Sequence, residues 1–496
     1  MEGILEFVKG INGYIWGIPM IALILSAGIY LTVRTGFFQV VKAKLVCNET
    51  FLAIFKKRSV TKTKEKKAIS QFQALTTALA ATIGTGNIAG VATAIAVGGP
   101  GAVFWMWFSA FFGMMTNFSE NVLGIYYRKK NEKGEWSGGA MYYIEEGLKG
   151  KKFIGKIAKP LAVIFSCFCV LASFGIGNMT QINNISTAFE TAFMSVGGFS
   201  IPNYVTGAVL LVLAALVVIG GIKRIGKVTE KVVPFMAILY IIMTVTIFIM
   251  NIKNAPAVFG AIFKGAFGVN AAAGGISGYL IKQAVTMGFK RGIFSNEAGL
   301  GSSVMVHSAS DVKEPVIQGM WGIFEVFFDT IIVCTLTAFA VLSSGVINLE
   351  TGAVADPNLQ GVQLVTQAFS TTLHDYAGIF IAIATLFFAF STTLGWSFYG
   401  TKAVEYLFGL KATYVYKVIF VGMIFVGATM KLDLAWELGD TFNGLMAIPN
   451  LIGVLALSGV VVKITRNYVS RHIKGNKEEK PMLSAYPEIQ AEQEQK

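Results

Sequence analysis

Charge is scarce in this chain: Asp, Glu, Lys and Arg make up 14% of its 496 residues, where a soluble globular protein carries about a quarter. With 54% hydrophobic residues and a mean hydropathy of +0.62, it needs lipid as solvent. The ten-residue alternating strands of an outer-membrane barrel are missing. HExxH, GxSxG and Walker phosphate loops are also missing, which argues against an enzyme or a resident cofactor. No acidic ring or filter-like motif suggests a channel. The four cysteines, Cys47, Cys167, Cys169 and Cys334, have no CxxC or zinc-ligand spacing and read as packing residues. At the N-terminus no basic run precedes a small-residue cleavage site, so the first helix is expected to stay.

Long apolar runs fill the rest. Candidate spans fall at roughly 14–33, 71–97, 101–127, 157–193, 203–222, 231–251, 275–306, 316–345, 376–406, 413–430 and 440–464, predicting about eleven transmembrane helices. An odd number puts the termini on opposite sides. Of the 41 Lys and Arg, 34 fall in alternate loops: Arg34–Lys67, Arg128–Lys159, Lys223–Lys231, Lys313, Lys402–Lys417 and from Lys463 onward. Lys9, Lys253, Lys264 and Lys431 fall on the other side. The positive-inside rule therefore predicts an external N-terminus and a cytoplasmic C-terminus. In a membrane protein that distribution outweighs the formal charge of +13, which does not call for a nucleic acid. The loop 346–374 is long enough for a surface helix or lid. The polar tail from Lys474 to Lys496 is expected to be disordered.

Two spans contain glycine clusters. The second reads Ala78-Leu-Ala-Ala-Thr-Ile-Gly84-Thr-Gly86-Asn-Ile-Ala-Gly90. A glycine in a helix interior costs about 1 kcal/mol against alanine, so the cluster has a reason: close helix packing, or unwinding. The seventh span is interrupted in the same way, at Thr286-Met-Gly288-Phe-Lys-Arg-Gly292-Ile-Phe-Ser-Asn-Glu-Ala-Gly299-Leu-Gly301. Gly-interrupted segments in corresponding places of two halves point to inverted repeats. With the first helix set aside, repeats of five helices cover about 71–251 and 275–465, and five being odd, the second is inverted. A break near Ala80–Ile83 frees carbonyls that attract a cation, and the half-helix starting near Gly86 offers N–H groups and a positive dipole end to a carboxylate. Ser391, Thr392 and Thr393 in the ninth span supply hydroxyls at membrane depth, either as neutral cation ligands or bonded back to their own helix.

The block Gly98-Gly-Pro-Gly-Ala-Val-Phe-Trp-Met-Trp107-Phe-Ser-Ala-Phe-Phe-Gly113 resembles the signature of the alanine/glycine:cation symporter family. Gly84–Asn87, Gly138–Glu145, Arg291–Gly299 and Ala447–Gly453 resemble its other shared blocks, with Ala140 where a proline is expected. The resemblance covers about 14–465. It implies a leucine-transporter-like, all-α fold, one helix plus a core at 71–465 with broken helices 71–97 and 275–306, and sodium-coupled uptake of alanine or glycine at the inner (plasma) membrane by a monomer. By the same likeness Thr85 and Gly86 would meet the substrate carboxylate, and Ser295 and Asn296 its ammonium. Asn178 and Gln181 would form a pocket-facing pair, with Trp396 as the wall. The sodium ligands would be Ala80, Ile83, Ser391 and Thr392, with Thr393 a rival one residue along. Lys290, Arg291, Glu297 and Asp329 are costly in the membrane. They are expected to pair with one another and brace the cytoplasmic half, or to touch substrate. The aromatics of 104–112 read as packing or lipid-facing groups. Proton coupling is the rival within this class, and an ion channel the more distant one.

Overall fold

The computed structural model describes residues 2–63, 65–198, 200–268, 274–430 and 432–495, so Lys64, Lys431 and Lys496 of the charge pattern lie outside the described residues. The first span is a bent pair, α1 (Glu2–Ile15) and α2 (Ile18–Arg34), meeting at 41° where Gly17 precedes Pro19 in the first turn of α2. The basic linker after it forms four short helices, α3 (Phe38–Val41), α4 (Ala43–Glu49), α5 (Phe51–Lys56) and α6 (Arg58–Thr61).

The first repeat opens with a second bent pair, α7 (Gln71–Thr82) and α8 (Gly86–Gly98), at 49°. Ser70 caps α7 by accepting from the Gln73 N–H while Gln73 bonds back to the Ser70 N–H. Gly99, at φ +69°, and Pro100 then turn the chain into α9 (Gly101–Tyr126). A small hairpin, β1 (Lys129–Lys130) with β2 (Trp136–Ser137), leads to α10 (Ala140–Leu148). The fourth span is α11 (Ala158–Phe174) and α12 (Thr180–Gly197), joined by a widened π turn at Gly175–Met179. The repeat ends with α13 (Asn203–Val218) and α14 (Gly221–Met250).

A short helix α15 (Ala255–Phe267) precedes the second repeat: α16 (Gly274–Asn296) with α17 (Val304–His307); α18 (Pro315–Val326) and α19 (Thr335–Ser343), joined by a π segment Phe327–Cys334; α20 (Gly361–Leu373); α21 (Tyr376–Phe408); α22 (Ala412–Thr429); and α23 (Leu432–Ala456). Counterparts in the two repeats pack on each other: α8 on α16, α9 on α18, α12 on α21, and α13 on α22. The surface helices α10 and α20 follow the second span of each repeat, and α20 is the helix expected in the 346–374 loop.

Helices thus stand at all eleven expected positions. Among the described residues, five spans are long and apolar enough alone and three more as bent pairs. Of the remaining three, α9 is diluted by tryptophan, glycine and the polar run Asn117–Asn121, α13 has 16 residues, and α16 carries Lys282, Lys290 and Arg291.

One expectation is corrected. The tail is ordered: α24 (Ser458–His472) bends 57° from α23, and α25 (Pro487–Gln495) packs back on the hairpin side. Ile489 is buried with Ala68 and Trp136, the Ala485 N–H donates to the Tyr126 carbonyl at 2.9 Å, and Lys130 pairs with Glu492 at 2.7 Å. A few apolar groups in a polar stretch suffice to dock it. The seventh-span break falls inside the Gly-interrupted segment 286–301, at its end. The helix runs unbroken through Gly288 and Gly292, which are small because α9 lies against them: a Cβ at Gly288 would come within 2.5 Å of the Trp105 Cβ and 2.6 Å of the Ala102 carbonyl. The break starts at Glu297.

The signature block is a packing surface. A Cβ at Gly101 would sit 2.3 Å from the Gly265 backbone, so α9 and α15 cross backbone to backbone, with Phe104 against Phe263 and Phe267 beside the crossing. Trp105 and Trp107 donate to the Ala266 carbonyl and the Thr335 hydroxyl, at 3.3 and 2.8 Å. Beyond α9, the Arg128 guanidinium is buried and donates to the carbonyls of Ser308 (3.0 Å) and Ser310 (2.6 Å), tying the hairpin to the loop after α17. Burial pulls its pKa down to about 10, still charged at neutral pH.

Candidate functional site

The first break is built from small and hydroxyl side chains. α7 stops at Thr82 because Ile83 takes φ −77° and ψ 87°, and no intrahelical donors then reach the carbonyls of Ala80 and Ile83. α21 crosses here. The Thr392 hydroxyl donates within 3.0 Å of the Ala80 carbonyl and 3.5 Å of the Ile83 carbonyl, and lies 3.0 Å from its own Phe388 carbonyl. Ser391 lies beside it, 3.4 Å from the Ala80 carbonyl and 2.9 Å from the Phe388 carbonyl. Thr393 turns away and bonds only back to the Ala389 carbonyl at 3.1 Å. Four of the five residues expected to ligate a cation are therefore brought together, and Thr393 is not. The approach requires Gly84, where a Cβ would stand 2.4 Å from the Thr392 hydroxyl.

Two of the freed N–H groups on the far side of this break have internal acceptors: Gly84 donates to Asn87 Oδ1 at 3.0 Å, and Thr85 to Gln181 Oε1 at 3.1 Å. The Thr85 hydroxyl is buried without a hydrogen-bond partner, as are Asn178 Oδ1 and the Trp396 indole N–H. A Cβ at Gly86 would meet the Ser295 Cα at 3.1 Å, so the two broken helices touch at this point. The expected pocket pair separates: Gln181 reaches the break, whereas Asn178 donates to the Phe420 carbonyl of α22 at 2.7 Å, across the π turn that displaces it. Trp396 lies flat against that turn, since a Cβ at Gly177 would fall 2.3 Å from its side chain.

The second break is held by polar side chains at every step. Glu297 has φ +56°, a conformation that costs a non-glycine residue about 1–3 kcal/mol, and its carboxylate accepts from Ser302 across the break at 2.5 Å. Asn296 accepts from the Ala298 N–H and donates to Thr330, both at 3.0 Å. Asn450 of α23 donates to the Gly299 carbonyl at 2.9 Å and fills the space in which a Gly301 Cβ would stand. Asp329 joins the two breaks, accepting from Asn87 (2.7 Å), Ser295 (2.8 Å) and Thr330 (2.9 Å).

The four ionisable groups do not pair with one another. Lys290 and Arg291 both pair with Asp440 of α23, at 2.8 and 3.2 Å, and Arg291 also lies 4.5 Å over the Trp436 ring. Trp436 covers Phe294 with ring centroids 4.8 Å apart. This cluster lies on the side of the breaks from which α16 and α23 start, so it does not brace the half predicted to be cytoplasmic. Glu297 and Asp329 instead find neutral donors. On the opposite side lies a cavity of about 240 Å³ whose lining includes Ile69, Ser397, Phe398 and Thr401. Sequence reasoning missed Asn87, Asp440 and Asn450 as site residues, although Asn87 and Asn450 lie inside blocks it quoted.

Comparison with known proteins agrees with this geometry. The solved structure of MhsT in complex with L-phenylalanine superposes with a TM-score of 0.52 at 14% identity, covering 81% of this chain and 99% of that one, a likeness of fold. The sodium/alanine symporter AgcS of Methanococcus maripaludis is 45% identical over 463 residues, 93% of this chain and 97% of that protein. The "Probable sodium/glutamine symporter GlnT" of Bacillus subtilis is 38% identical over 479 residues, 96% and 93% of the two chains. The family model for the sodium:alanine symporters matches residues 1–482, and with the fold and both breaks in place this chain belongs to the sodium:alanine symporter family.

Proposed function

We propose that this protein is a sodium-coupled symporter that imports alanine or glycine across the cell membrane by alternating access. In this reading it acts as a monomer, with its N-terminus outside and its C-terminus in the cytoplasm. The observation that carries the reading is the set of neutral oxygens at the first break: the Ala80 and Ile83 carbonyls with the Ser391 and Thr392 hydroxyls. Oxygen-only ligands without a carboxylate suit a hard monovalent cation. A Thr392 hydroxyl that donates to the Phe388 carbonyl keeps its lone pairs for that ion.

The amino acid fits beside it. The unpartnered Thr85 hydroxyl and the positive end of α8 at Gly86 suit its carboxylate. The last carbonyls of α16, around Ser295 and Asn296, suit its ammonium. Gln181 and Trp396 bound the space left for a side chain. The pairing of Asp440 with Lys290 and Arg291, under Trp436, then acts as the outer closure. Entry requires it to part, and release runs through the cavity at Ile69 and Thr401. A zwitterion moving with one sodium ion carries net positive charge, so transport generates current.

A second reading has its own observation: Asp329 is a fully buried carboxylate contacting both broken helices, which is what proton coupling needs. Uptake of labelled alanine into proteoliposomes, with sodium and proton gradients imposed separately, decides between them. An inward sodium gradient is expected to drive accumulation with no proton gradient present. Accumulation driven by the proton gradient alone would transfer the coupling role to Asp329. Glycine and glutamine as unlabelled competitors fix the substrate range.

A further inference from the structure

Away from the transport path, at the cytoplasmic end of the first span as the charge pattern orients it, a cleft of about 1020 Å³ separates α2 from α24. Six cations line it: Arg34, Lys42, Lys463, Arg466, Lys474 and Lys480. Glu479 is its one carboxylate, and its Oε1 accepts from Asn467 at 2.9 Å. Among the described residues none of the six cations comes within ion-pairing distance of a carboxylate. The arrangement is directional. On α24, Gly459, Lys463, Arg466 and Ser470 repeat at helical spacing and face the cleft, while Val461, Ile464 and Tyr468 on the other face are buried.

The other wall is the stretch 38–50, two short helices with two faces. Phe38, Val41 and Lys42 line the cationic cleft. Gln39, Ala43, Val46 and Thr50 line a separate cavity of about 530 Å³, closed on its other side by Ile323, Phe324, Phe327 and Phe328. That cavity is almost wholly apolar, and exposed Phe51 and Phe327 lie on it. Val40 and Val41, beside it, are 54% and 65% exposed. A site for a phosphate group and a site for a hydrocarbon chain therefore share the segment 38–50 at the membrane interface.

We infer that this segment holds an anionic phospholipid, its headgroup phosphate in the cationic cleft and an acyl chain in the apolar cavity. Unpaired basic groups at the cytoplasmic surface attract anionic headgroups. The neighbouring apolar cavity favours a lipid over a free phosphate, since only the lipid fills both. The occupant braces the first span against α24, outside the two repeats.

The test is native mass spectrometry of the purified full-length protein titrated with dioleoylphosphatidylglycerol, dioleoylphosphatidylcholine or glycerol 3-phosphate. Wild type is expected to retain phosphatidylglycerol at concentrations where phosphatidylcholine is lost. Lys463→Gln with Arg466→Gln should weaken retention about thirtyfold, at roughly a tenfold factor per 1.4 kcal/mol and about 1 kcal/mol per basic group. Lys253→Gln with Lys264→Gln, which removes the same charge from exposed positions on the opposite, external side, should leave it unchanged. Ala43→Phe, filling the apolar cavity, should weaken the lipid while leaving the cationic cleft intact. Equal retention by the Lys463/Arg466 variant and wild type overturns the site. Displacement of the lipid by equimolar glycerol 3-phosphate, or equally tight phosphatidylcholine, overturns the assignment to an anionic lipid.

Discussion

The two helix breaks are made of different materials. The first, at Ile83–Thr85, is lined by glycine, carbonyls and hydroxyls, with the Thr392 oxygen held against the Ala80 and Ile83 carbonyls. The second, at Glu297–Gly301, is locked by Asn296, Ser302 and Asn450 and starts from a buried glutamate in a left-handed conformation. At the first, carbonyls of one helix meet hydroxyls of another; at the second, side chains hold the bend on both sides. The lesson is a division of labour: in this account the first break binds cargo, and the second is a fixed bend that brings α16 and its gate residues against it.

Substitutions that act on one break and spare the other sharpen the comparison. The largest effect is expected from Gly86→Val, whose side chain would press on the Ser295 backbone where the helices touch. Alanine binding should be lost while membrane insertion persists, because valine is acceptable to lipid; calorimetry beside a yield measurement checks both. Asp440→Asn comes next. It leaves Lys290 and Arg291 buried without their carboxylate, and breaking such a pair costs about 3–5 kcal/mol. Uptake should fall more than about a hundredfold, while sodium affinity at equilibrium stays near wild type; unchanged uptake would remove the cluster as the outer closure. Trp396→Val is the mildest. Freed from the ring lying on Gly177, the pocket should admit larger side chains, and discrimination of alanine from leucine should shrink about tenfold or more in competition assays. A Trp396→Val protein that still excludes leucine would show that the limit lies elsewhere.

Much of the first break was legible in the sequence. Glycines at mid-span and a run of hydroxyls in another span are local features, and they marked a break near Ala80–Ile83 and the hydroxyls of Ser391, Thr392 and Thr393, from which the family resemblance took Ser391 and Thr392. The choice against Thr393 was not legible: adjacent residues on a helix point about 100° apart, and only the packing of α21 on α7 selects one. The second break was legible as lying within 286–301, but its exact place was not, because glycine serves close packing and unwinding alike. Gly288 and Gly292 are small for α9, whereas the bend belongs to Glu297, a residue with no sequence signal for positive φ. The partner of Lys290 and Arg291 was hidden because Asp440 lies about 150 residues away. The family blocks were read correctly as packing around the Phe-Trp-Met-Trp run, yet Asn450 within another block turned out to cap the second break.

The claim that the first break binds the coupling cation is tested most directly by alanine binding measured against sodium concentration for wild type, Thr392→Val and Thr393→Val. Deleting one oxygen ligand, if comparable to a hydrogen bond to a charged group at about 1.5–3 kcal/mol, weakens apparent sodium affinity by roughly 10- to 150-fold. Because coupling is reciprocal, alanine affinity should fall at subsaturating sodium and recover at saturation. The account predicts this shift for Thr392→Val and none for Thr393→Val, whose hydroxyl faces only its own helix. A shift in Thr393→Val alone, or in neither, would contradict it.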